Sequence, residues 1–344
     1  MDSLSITQPD DWHLHLRSGV MLRAVARYSA QYFGRAIVMP NLQPPVTSVA
    51  LAAAYRREIL QALPPDSGFT PLMTLYLTQA TPVTEIQAAA ASGFIFGVKL
   101  YPAGATTNAE HGVADVRAVY PLLAEMQRLD LPLLVHAEVN DAAVDVFDRE
   151  KVFIERHLQA IVREFPDLRV VVEHLTTQEA VDFVWAQGPK VASTLTPQHL
   201  LFNRNALLAG GVRPHFYCLP VLKRERHRQA LLAAAVSGNP KFFLGTDSAP
   251  HLTHLKQSAC GCAGCFNAPV ALALYAQAFE QAGALDKLEG FASFYGADFY
   301  RLPRNSAKIR LYKQDWQAPT AGDPDLDVTP FLAGEALAWQ ARLD

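Results

Sequence analysis

Three side chains with metal-binding or anion-binding chemistry lie close together near the start of the chain. His13, His15 and Arg17 alternate with apolar residues in the segment DWHLHLR. In an extended strand, alternate side chains point to the same face and lie roughly 6 to 7 Å apart. Two imidazoles on one face suit a divalent cation, whereas an arginine suits a carboxylate. The HxH pair alone leaves a metal site and hydrogen-bonded core histidines equally open, and Arg17 alone could form a surface ion pair.

Other polar residues occur at the ends of later apolar runs. They are Lys99 in FGVKLYP, His136 in LLVHAE, His174 in VVEHL and Asp247 in LGTD. Taken singly, each histidine is better explained as a core residue, and Lys99 as an ion-paired or snorkelling side chain. Taken together, imidazoles and a carboxylate form a ligand set typical of zinc or a similar ion. Burial near a cation would lower the pKa of Lys99, so that its amine could capture carbon dioxide as a bridging carbamate.

The elements that must position these residues follow from hydrophobic periodicity. Eight β-rich runs are predicted as strands, at 10–17, 35–40, 70–77, 96–102, 131–138, 169–175, 191–196 and 241–247. Helices are predicted between or after them, over 48–63, 83–92, 114–129, 149–165, 176–187 and 224–237. Such alternation predicts an α/β fold, the (β/α)8 TIM barrel, in which the carboxyl ends of the strands surround one active-site mouth. A doubly wound open sheet is the alternative, which the lack of a Gly-rich phosphate fingerprint weakens.

Beyond the eighth strand, helices over 267–283 and 285–300 and a short strand over 307–313 predict a C-terminal extension. We expect residues 1–344 to form a single domain, because α/β barrels of this length are commonly one unit.

The composition limits the classes of function. The chain is 50% hydrophobic and 18% charged, with a net charge of -3, which indicates a large core and disfavours nucleic-acid or membrane-surface partners. The first residues do not resemble a secretory signal, and no apolar run reaches the roughly 18 residues of a membrane span. Four cysteines in 344 residues do not suggest a disulfide framework, so we expect a reduced, cytoplasmic protein.

Seven motifs spread over nearly the whole chain support a family assignment: DWHLHLR, MPNLQPP, GVKLYPAGATTN, LLVHAE, VVEHLTT, GTDSAPH and CGCAGCFNAP. On these motifs the sequence resembles the amidohydrolase superfamily and, within it, the dihydroorotases of the compact bacterial and fungal type. The resemblance implies a zinc-dependent cyclic amide hydrolase that reversibly converts N-carbamoyl-L-aspartate to L-dihydroorotate and water, in de novo pyrimidine (UMP) biosynthesis. It also implies a homodimer.

The same resemblance implies two zinc ions per subunit. His13, His15 and Asp247 would hold one ion, while His136 and His174 would hold the other. Carboxylated Lys99 would bridge the two ions, together with a hydroxide that acts as the nucleophile. Asp247 would be the catalytic residue that carries the proton to or from the amide nitrogen.

The resemblance further implies a substrate pocket in which Arg17, Asn41 and His251 bind the ring carboxylate. Without the resemblance, Asn41 beside prolines would be interpreted as a turn residue. The segment GATTNAEHG (104–112) is expected to be a mobile lid, with an ordinary connecting loop as the alternative. The remaining implied substrate contacts are His15, Thr106, Thr107, His136, Leu219 and Ala263.

Several alternative functions stay open at this point. The alternative most similar in chemistry is a hydantoinase or dihydropyrimidinase. Its ring substrate need not carry a carboxylate, which would leave Arg17 without a binding role. A mononuclear deaminase would not require Lys99, and an inactive barrel that serves as a binding partner would be expected to lose ligands. CGCAGC could bind a structural zinc, but Cys218 is distant in sequence from Cys260, Cys262 and Cys265.

Overall fold

The computed structural model describes residues 2–343. Strand β1 (Ser3–Thr7) belongs to a small outer sheet, and the next eight strands pair in parallel in chain order. These eight strands are β2 (Asp11–Leu14), β3 (Arg35–Val38), β4 (Thr70–Tyr76), β5 (Ile95–Leu100), β6 (Leu133–Val135), β7 (Val170–Val172), β8 (Val191–Leu195) and β9 (Phe242–Leu244). The sheet closes at the β2–β9 seam, where Asp247 N donates to His13 O at 2.8 Å and His15 N donates to Ser248 O at 3.0 Å. The predicted TIM barrel is therefore confirmed.

Helices cover the outside of this barrel, as expected for strands that are buried on both faces. The α-helices are α1 (Gly19–Ala30), α2 (Val49–Gln61), α3 (Val83–Ala91), α4 (Tyr120–Arg128), α5 (Arg149–Phe153), α6 (Gln159–Glu164), α7 (Gln178–Ala186), α8 (Pro197–Leu201), α9 (Asn205–Leu208), α10 (Glu225–Ala235), α11 (Thr253–Lys256), α12 (Ala271–Gln281) and α13 (Tyr295–Phe299). A π-helical turn at Ile154–Leu158 joins α5 to α6, and another at Gly290–Phe294 precedes α13. Single 3-10 turns lie at Val116–Val119, Pro214–Phe216 and Leu285–Lys287.

The lower end of the barrel is filled by aromatic side chains. Trp12 on β2 stacks on Tyr300 with ring centroids 4.8 Å apart and planes 8° apart, and Phe243 of β9 packs edge-on against Trp12. All three side chains are buried. Because Trp12 directly precedes His13, this packing fixes the strand that carries the first candidate ligand.

The structure corrects two predicted strands: the first barrel strand is shorter than predicted, and the strand after the barrel is longer. Strand β2 was predicted over 10–17 but ends at Leu14, and Arg17 has a φ of 60°, so Arg17 is not the third member of an extended face. The strand predicted over 307–313 is β10 (Lys308–Gln317), which pairs antiparallel with β1 and with β11 (Ala336–Leu343). This three-stranded sheet, like α1, was not predicted. Its pairing joins segments about three hundred residues apart, which local patterns do not reveal.

Within residues 2–343, the structure contains no helix with the length and apolar character needed to cross a membrane.

Candidate active site

The predicted ligands meet at the carboxyl end of the barrel. Two of them lie within strands, and the others follow a strand by one to three residues. All are buried, and none exposes more than 8% of its surface. In chain order they are His13, His15, Lys99, His136, His174 and Asp247.

His13, His15 and Asp247 form the first group. Asp247 Oδ1 lies 3.1 Å from His15 Nε2 and 3.4 Å from His13 Nε2, and the two Nε2 atoms are 3.3 Å apart. Burial lowers the pKa of both histidines, and the nearby cations Lys99 and Arg17 lower the pKa of His15 further. Neutral imidazoles have the lone pair that a metal ligand requires, so this group fits a divalent cation.

His136 and His174 form the second group. His136 Nδ1 lies 3.2 Å from His174 Nε2, and the rings of His174 and His13 are 4.9 Å apart between centroids, which places the two groups side by side. Burial lowers the pKa of His174 well below its ordinary value, so this imidazole is neutral as well.

Lys99 is the candidate bridge between the two groups. It is fully buried on β5, and its Nζ has no hydrogen-bond partner among the described residues. Burial lowers the pKa of Lys99 to about 8, against the opposite influence of Glu173 and Asp247. An unpaired buried ammonium is costly, which favours an uncharged or chemically modified amine at this position.

Three polar side chains fix the orientation of the histidine rings: two carboxylates that the sequence predictions missed, and Asn41, which was predicted only as a substrate contact. Glu173 Oε2 lies 2.8 Å from His13 Nδ1, and Glu138 Oε2 lies 2.9 Å from His136 Nε2. Asn41 Oδ1 lies 2.8 Å from the Nδ1 atom of His15. Such contacts select one tautomer of a ligating histidine and raise its basicity.

The sequence contains a signal for the two carboxylates, since Glu138 follows His136 in HAE and Glu173 precedes His174 in EHL. Strand alternation would place Glu173 and His174 on opposite faces. However, His174 has a φ of 41° beyond the end of β7, so both side chains turn into the site. Burial raises the pKa of Glu173, but His13 and Lys99 outweigh that effect and keep the carboxyl ionised.

A small cavity lies above the candidate ligands. Eight predicted substrate contacts line it, and His251 lies behind Arg17 with its Nε2 3.0 Å from Arg17 Nη2. Tyr101, which was not predicted, also lines the cavity, and its buried hydroxyl has no partner among the described residues. The eight predicted residues are His15, Arg17, Asn41, Thr106, Thr107, His136, Leu219 and Ala263.

The segment 104–112 covers this cavity and is held to the opposite rim. Thr107 Oγ1 donates to Ala263 O at 3.3 Å, and Asn41 Nδ2 donates to Thr107 O at 3.0 Å. Asn108 Nδ2 in turn donates to Asn41 O at 2.9 Å. These contacts are those of a closed lid, and the predicted mobility of the segment stays a prediction.

Comparisons with known proteins agree with this geometry. The model of the amidohydrolase family matches residues 10–313, so the chain belongs to that family. It is 61% identical to the dihydroorotase of Picosynechococcus sp., with 99% of each chain covered. The chain thus belongs to the dihydroorotases within the amidohydrolase family, which confirms the predicted family and activity.

Solved structures support the same conclusion. The crystal structure of the Saccharomyces cerevisiae dihydroorotase in complex with 5-fluoroorotic acid superposes with a TM-score of 0.92 at 34% identity, covering 100% of this chain and 99% of that one. An L-hydantoinase from Arthrobacter aurescens superposes with a TM-score of 0.82 at only 15% identity, covering 99% of this chain and 84% of that one. At this identity, the likeness to the hydantoinase shows a common fold.

Proposed function

We propose that this cavity catalyses the reversible cyclisation of N-carbamoyl-L-aspartate to L-dihydroorotate and water, a step in pyrimidine biosynthesis, with the aid of two zinc ions. One observation carries the proposal: four histidines, a carboxylate and an orphaned lysine amine converge beside the half-buried guanidinium of Arg17 at one barrel mouth. The histidines, the carboxylate and the lysine suit metal-assisted amide chemistry, and the guanidinium suits a substrate carboxylate.

The residues present fit two metal ions. His13, His15 and Asp247 would hold one ion, and His136 and His174 would hold the other. Lys99, carboxylated on its Nζ, would be shared between the two ions, which would explain a fully buried amine without a partner. When bound, the ions would polarise the amide carbonyl and make water nucleophilic near neutral pH.

Asp247 is the proposed proton carrier. Burial raises the pKa of its carboxyl above the ordinary value, although His13 and His199 act in the opposite direction. In ring opening, Asp247 takes a proton from the attacking water and passes it to the departing amide nitrogen. In cyclisation, the same carboxylate accepts the proton of the carbamoyl nitrogen.

Arg17 is the proposed anchor for the ring carboxylate. Its Nε donates to Pro250 O at 3.1 Å and its Nη2 faces His251, which fixes the plane of the guanidinium at the cavity wall. The fork of the guanidinium can then pair with two carboxylate oxygens. Asn41 Nδ2 is bound to Thr107 O, so a substrate that uses this donor must share it with the lid.

The other proposed substrate contacts surround this anchor. Thr106 and Thr107 would donate hydroxyl hydrogen bonds from the lid, while Leu219 and Ala263 would offer backbone groups. His15 and His136 would contact the substrate from the cavity floor.

We also propose that residues 1–344 form one domain, because β1 near one end of the chain pairs with β10 near the other. A cytoplasmic location is supported by four free cysteines. Homodimeric assembly is proposed on the family resemblance.

The test compares ring opening of L-dihydroorotate with ring opening of dihydrouracil and hydantoin, before and after metal removal with a chelator. We expect turnover of L-dihydroorotate only, loss of activity on chelation, and recovery when zinc is restored. Activity that survives complete metal removal would contradict the metal mechanism. Preference for the uncharged rings would contradict the role of Arg17 and the substrate assignment.

A further inference from the structure

Two cysteines beside the active site lie almost in contact. The Sγ atoms of Cys260 and Cys262 are 3.9 Å apart, and both thiols are free. Cys260 is exposed and Cys262 is half-buried, whereas Cys218 and Cys265 are both buried. Among residues 2–343, the one group of three or more side chains close enough to share a metal ion is His13, His15 and Asp247, so a structural zinc in CGCAGC has no support.

The two sulfurs are close enough to form a bond after a local shift of the chain. A disulfide needs a separation of about 2.05 Å, so the sulfurs must approach each other by roughly 2 Å. Gly261 lies between the two cysteines with a φ of 71°, where the absence of a side chain gives the turn its freedom. Burial raises the pKa of Cys262, so the exposed Cys260 is the thiol that an oxidant meets first.

The segment that follows is part of the substrate cavity. Ala263 O accepts a hydrogen bond from the lid hydroxyl of Thr107 at 3.3 Å, and His251 Nε2 lies 3.0 Å from the same oxygen. Gly264 is closely packed, since a Cβ at that position would lie 2.6 Å from Ala249 O. Ala263 directly follows Cys262 in the chain, so a shift of Cys262 reaches the carbonyl that holds the lid.

Cys262 is also held from below. Lys256 Nζ donates to Cys262 O at 2.9 Å and to Tyr217 O at 2.8 Å, and the Gly264 amide donates to the same Tyr217 O at 2.9 Å. A disulfide between Cys260 and Cys262 would strain these contacts, because Cys262 would have to move toward the exposed Cys260 while its carbonyl is held by Lys256.

We propose that Cys260 and Cys262 form a reversible disulfide that loosens the carboxylate-binding side of the substrate cavity. The proposal rests on the function proposed above for that cavity. The oxidant class is a peroxide. Hydrogen peroxide oxidises the Cys260 thiolate to a sulfenic acid, and the O–O bond breaks with release of hydroxide, which becomes water on taking up the proton of the original thiol.

The Cys262 thiol then attacks the sulfenic sulfur, so that the S–S bond forms and the S–O bond breaks. The thiol proton leaves with that oxygen as the second water. Two thiols thus lose two electrons, and one peroxide becomes two waters. A dithiol reductant reverses the change by thiol–disulfide exchange.

The expected effect is on substrate binding and not on turnover. Ala263, Thr107 and His251 lie on the side of the cavity that faces Arg17, whereas the candidate metal ligands lie within the barrel strands or one to three residues after them. We therefore expect KM for L-dihydroorotate to rise at least threefold on oxidation while kcat stays within twofold.

The experiment uses the metal-loaded enzyme, first reduced and then treated with hydrogen peroxide. Intact mass should fall by about 2 Da, for two lost hydrogens, and peptide mapping should place the cross-link between Cys260 and Cys262. KM and kcat are measured before oxidation, after it, and after dithiothreitol, together with the metal content. The matched control is the double variant C260S/C262S, which should keep the reduced KM and not respond to peroxide.

Four outcomes would overturn the proposal: no cross-linked species, a cross-link that involves Cys218 or Cys265, an unchanged KM in cross-linked protein, or the same KM rise in the double variant. Loss of metal on oxidation would also overturn it, because the effect would then arise at the ligands. The mass measurement needs no substrate. If the reduced enzyme does not open L-dihydroorotate at all, the proposed function fails independently of the disulfide.

Discussion

Glu173 offers a direct test of how the candidate metal site is held. Its side chain is fully buried, and Oε2 lies 2.8 Å from His13 Nδ1 and 2.5 Å from Thr194 Oγ1. We predict that Glu173→Gln, which keeps the shape and removes the charge, binds metal about 5- to 30-fold more weakly than the wild type, on the scale by which 1.4 kcal/mol is tenfold.

The expected loss of metal affinity is worked out from the hydrogen bond between Glu173 and His13. A hydrogen bond to a charged group contributes about 1.5 to 3 kcal/mol, roughly twice a neutral one. The glutamine carbonyl can still accept from His13 Nδ1, so the loss is the difference of about 1 to 2 kcal/mol. Residues that support metal ligands in this way typically change metal affinity or activity by about 10- to 100-fold, which overlaps the value worked out here.

The assay is competition for zinc between the protein and a chromophoric chelator, with urea unfolding measured in parallel. The matched control is Glu289→Gln, because Glu289 is a half-buried carboxylate that accepts from Thr7 N at 2.8 Å, far from the mouth of the barrel. We expect the control to lose stability without losing metal affinity. If Glu173→Gln binds zinc within twofold of the wild type while it is destabilised, Glu173 is a packing residue and the reasoning is wrong.

Three further predictions concern the bridge, the anchor and a buried carboxyl. Lys99→Ala should lose most activity and bind fewer metal ions, with partial rescue by short carboxylic acids; full activity without such an acid would contradict the bridging role. Arg17→Lys should raise KM for L-dihydroorotate at least tenfold with little change in kcat, since a lysine cannot form the bidentate pair; an unchanged KM would remove Arg17 as the anchor. Glu150 is fully buried and accepts from Thr176 and Thr177, and burial raises its pKa from 4.5 to about 7. Between these values the unfolded chain releases the proton and the folded chain keeps it, so folding stability falls as pH rises through this window, by at most roughly 3 kcal/mol. From pH 5 to pH 8, the unfolding free energy of the wild type should therefore fall relative to that of Glu150→Gln. A difference that does not change with pH would contradict the raised pKa of Glu150.

The sequence was sufficient to predict the barrel and the candidate ligands because both depend on local patterns. Each barrel strand is a short apolar run flanked by helical periodicity, and parallel strands necessarily present their carboxyl ends together. His13 and Lys99 lie within strands, and His15 and His136 follow one directly, so a strand prediction accurate to a few residues places them at the mouth.

The features that were missed depend on backbone conformation and on long-range contacts. Arg17, His174 and Asp247 have φ values of 60°, 41° and 47°, a region that strand alternation does not describe. The direction of their side chains, and the approach of Glu173 to His13, therefore could not be derived from a period of two. The outer sheet depends on the pairing of β1 with β10, about three hundred residues away in sequence, which only the folded chain reveals.

The pairing of β1 with β10 also sets an order of events during synthesis. Residues 3–7 leave the ribosome about three hundred residues before their partners at 308–312. At about 5 to 20 residues per second, β1 waits on the order of 15 to 60 s with its backbone groups unpaired. During that interval the barrel can close while the segment SLSIT stays unpaired. An unpaired strand can associate with other chains, so this segment is a site at which aggregation can begin during synthesis.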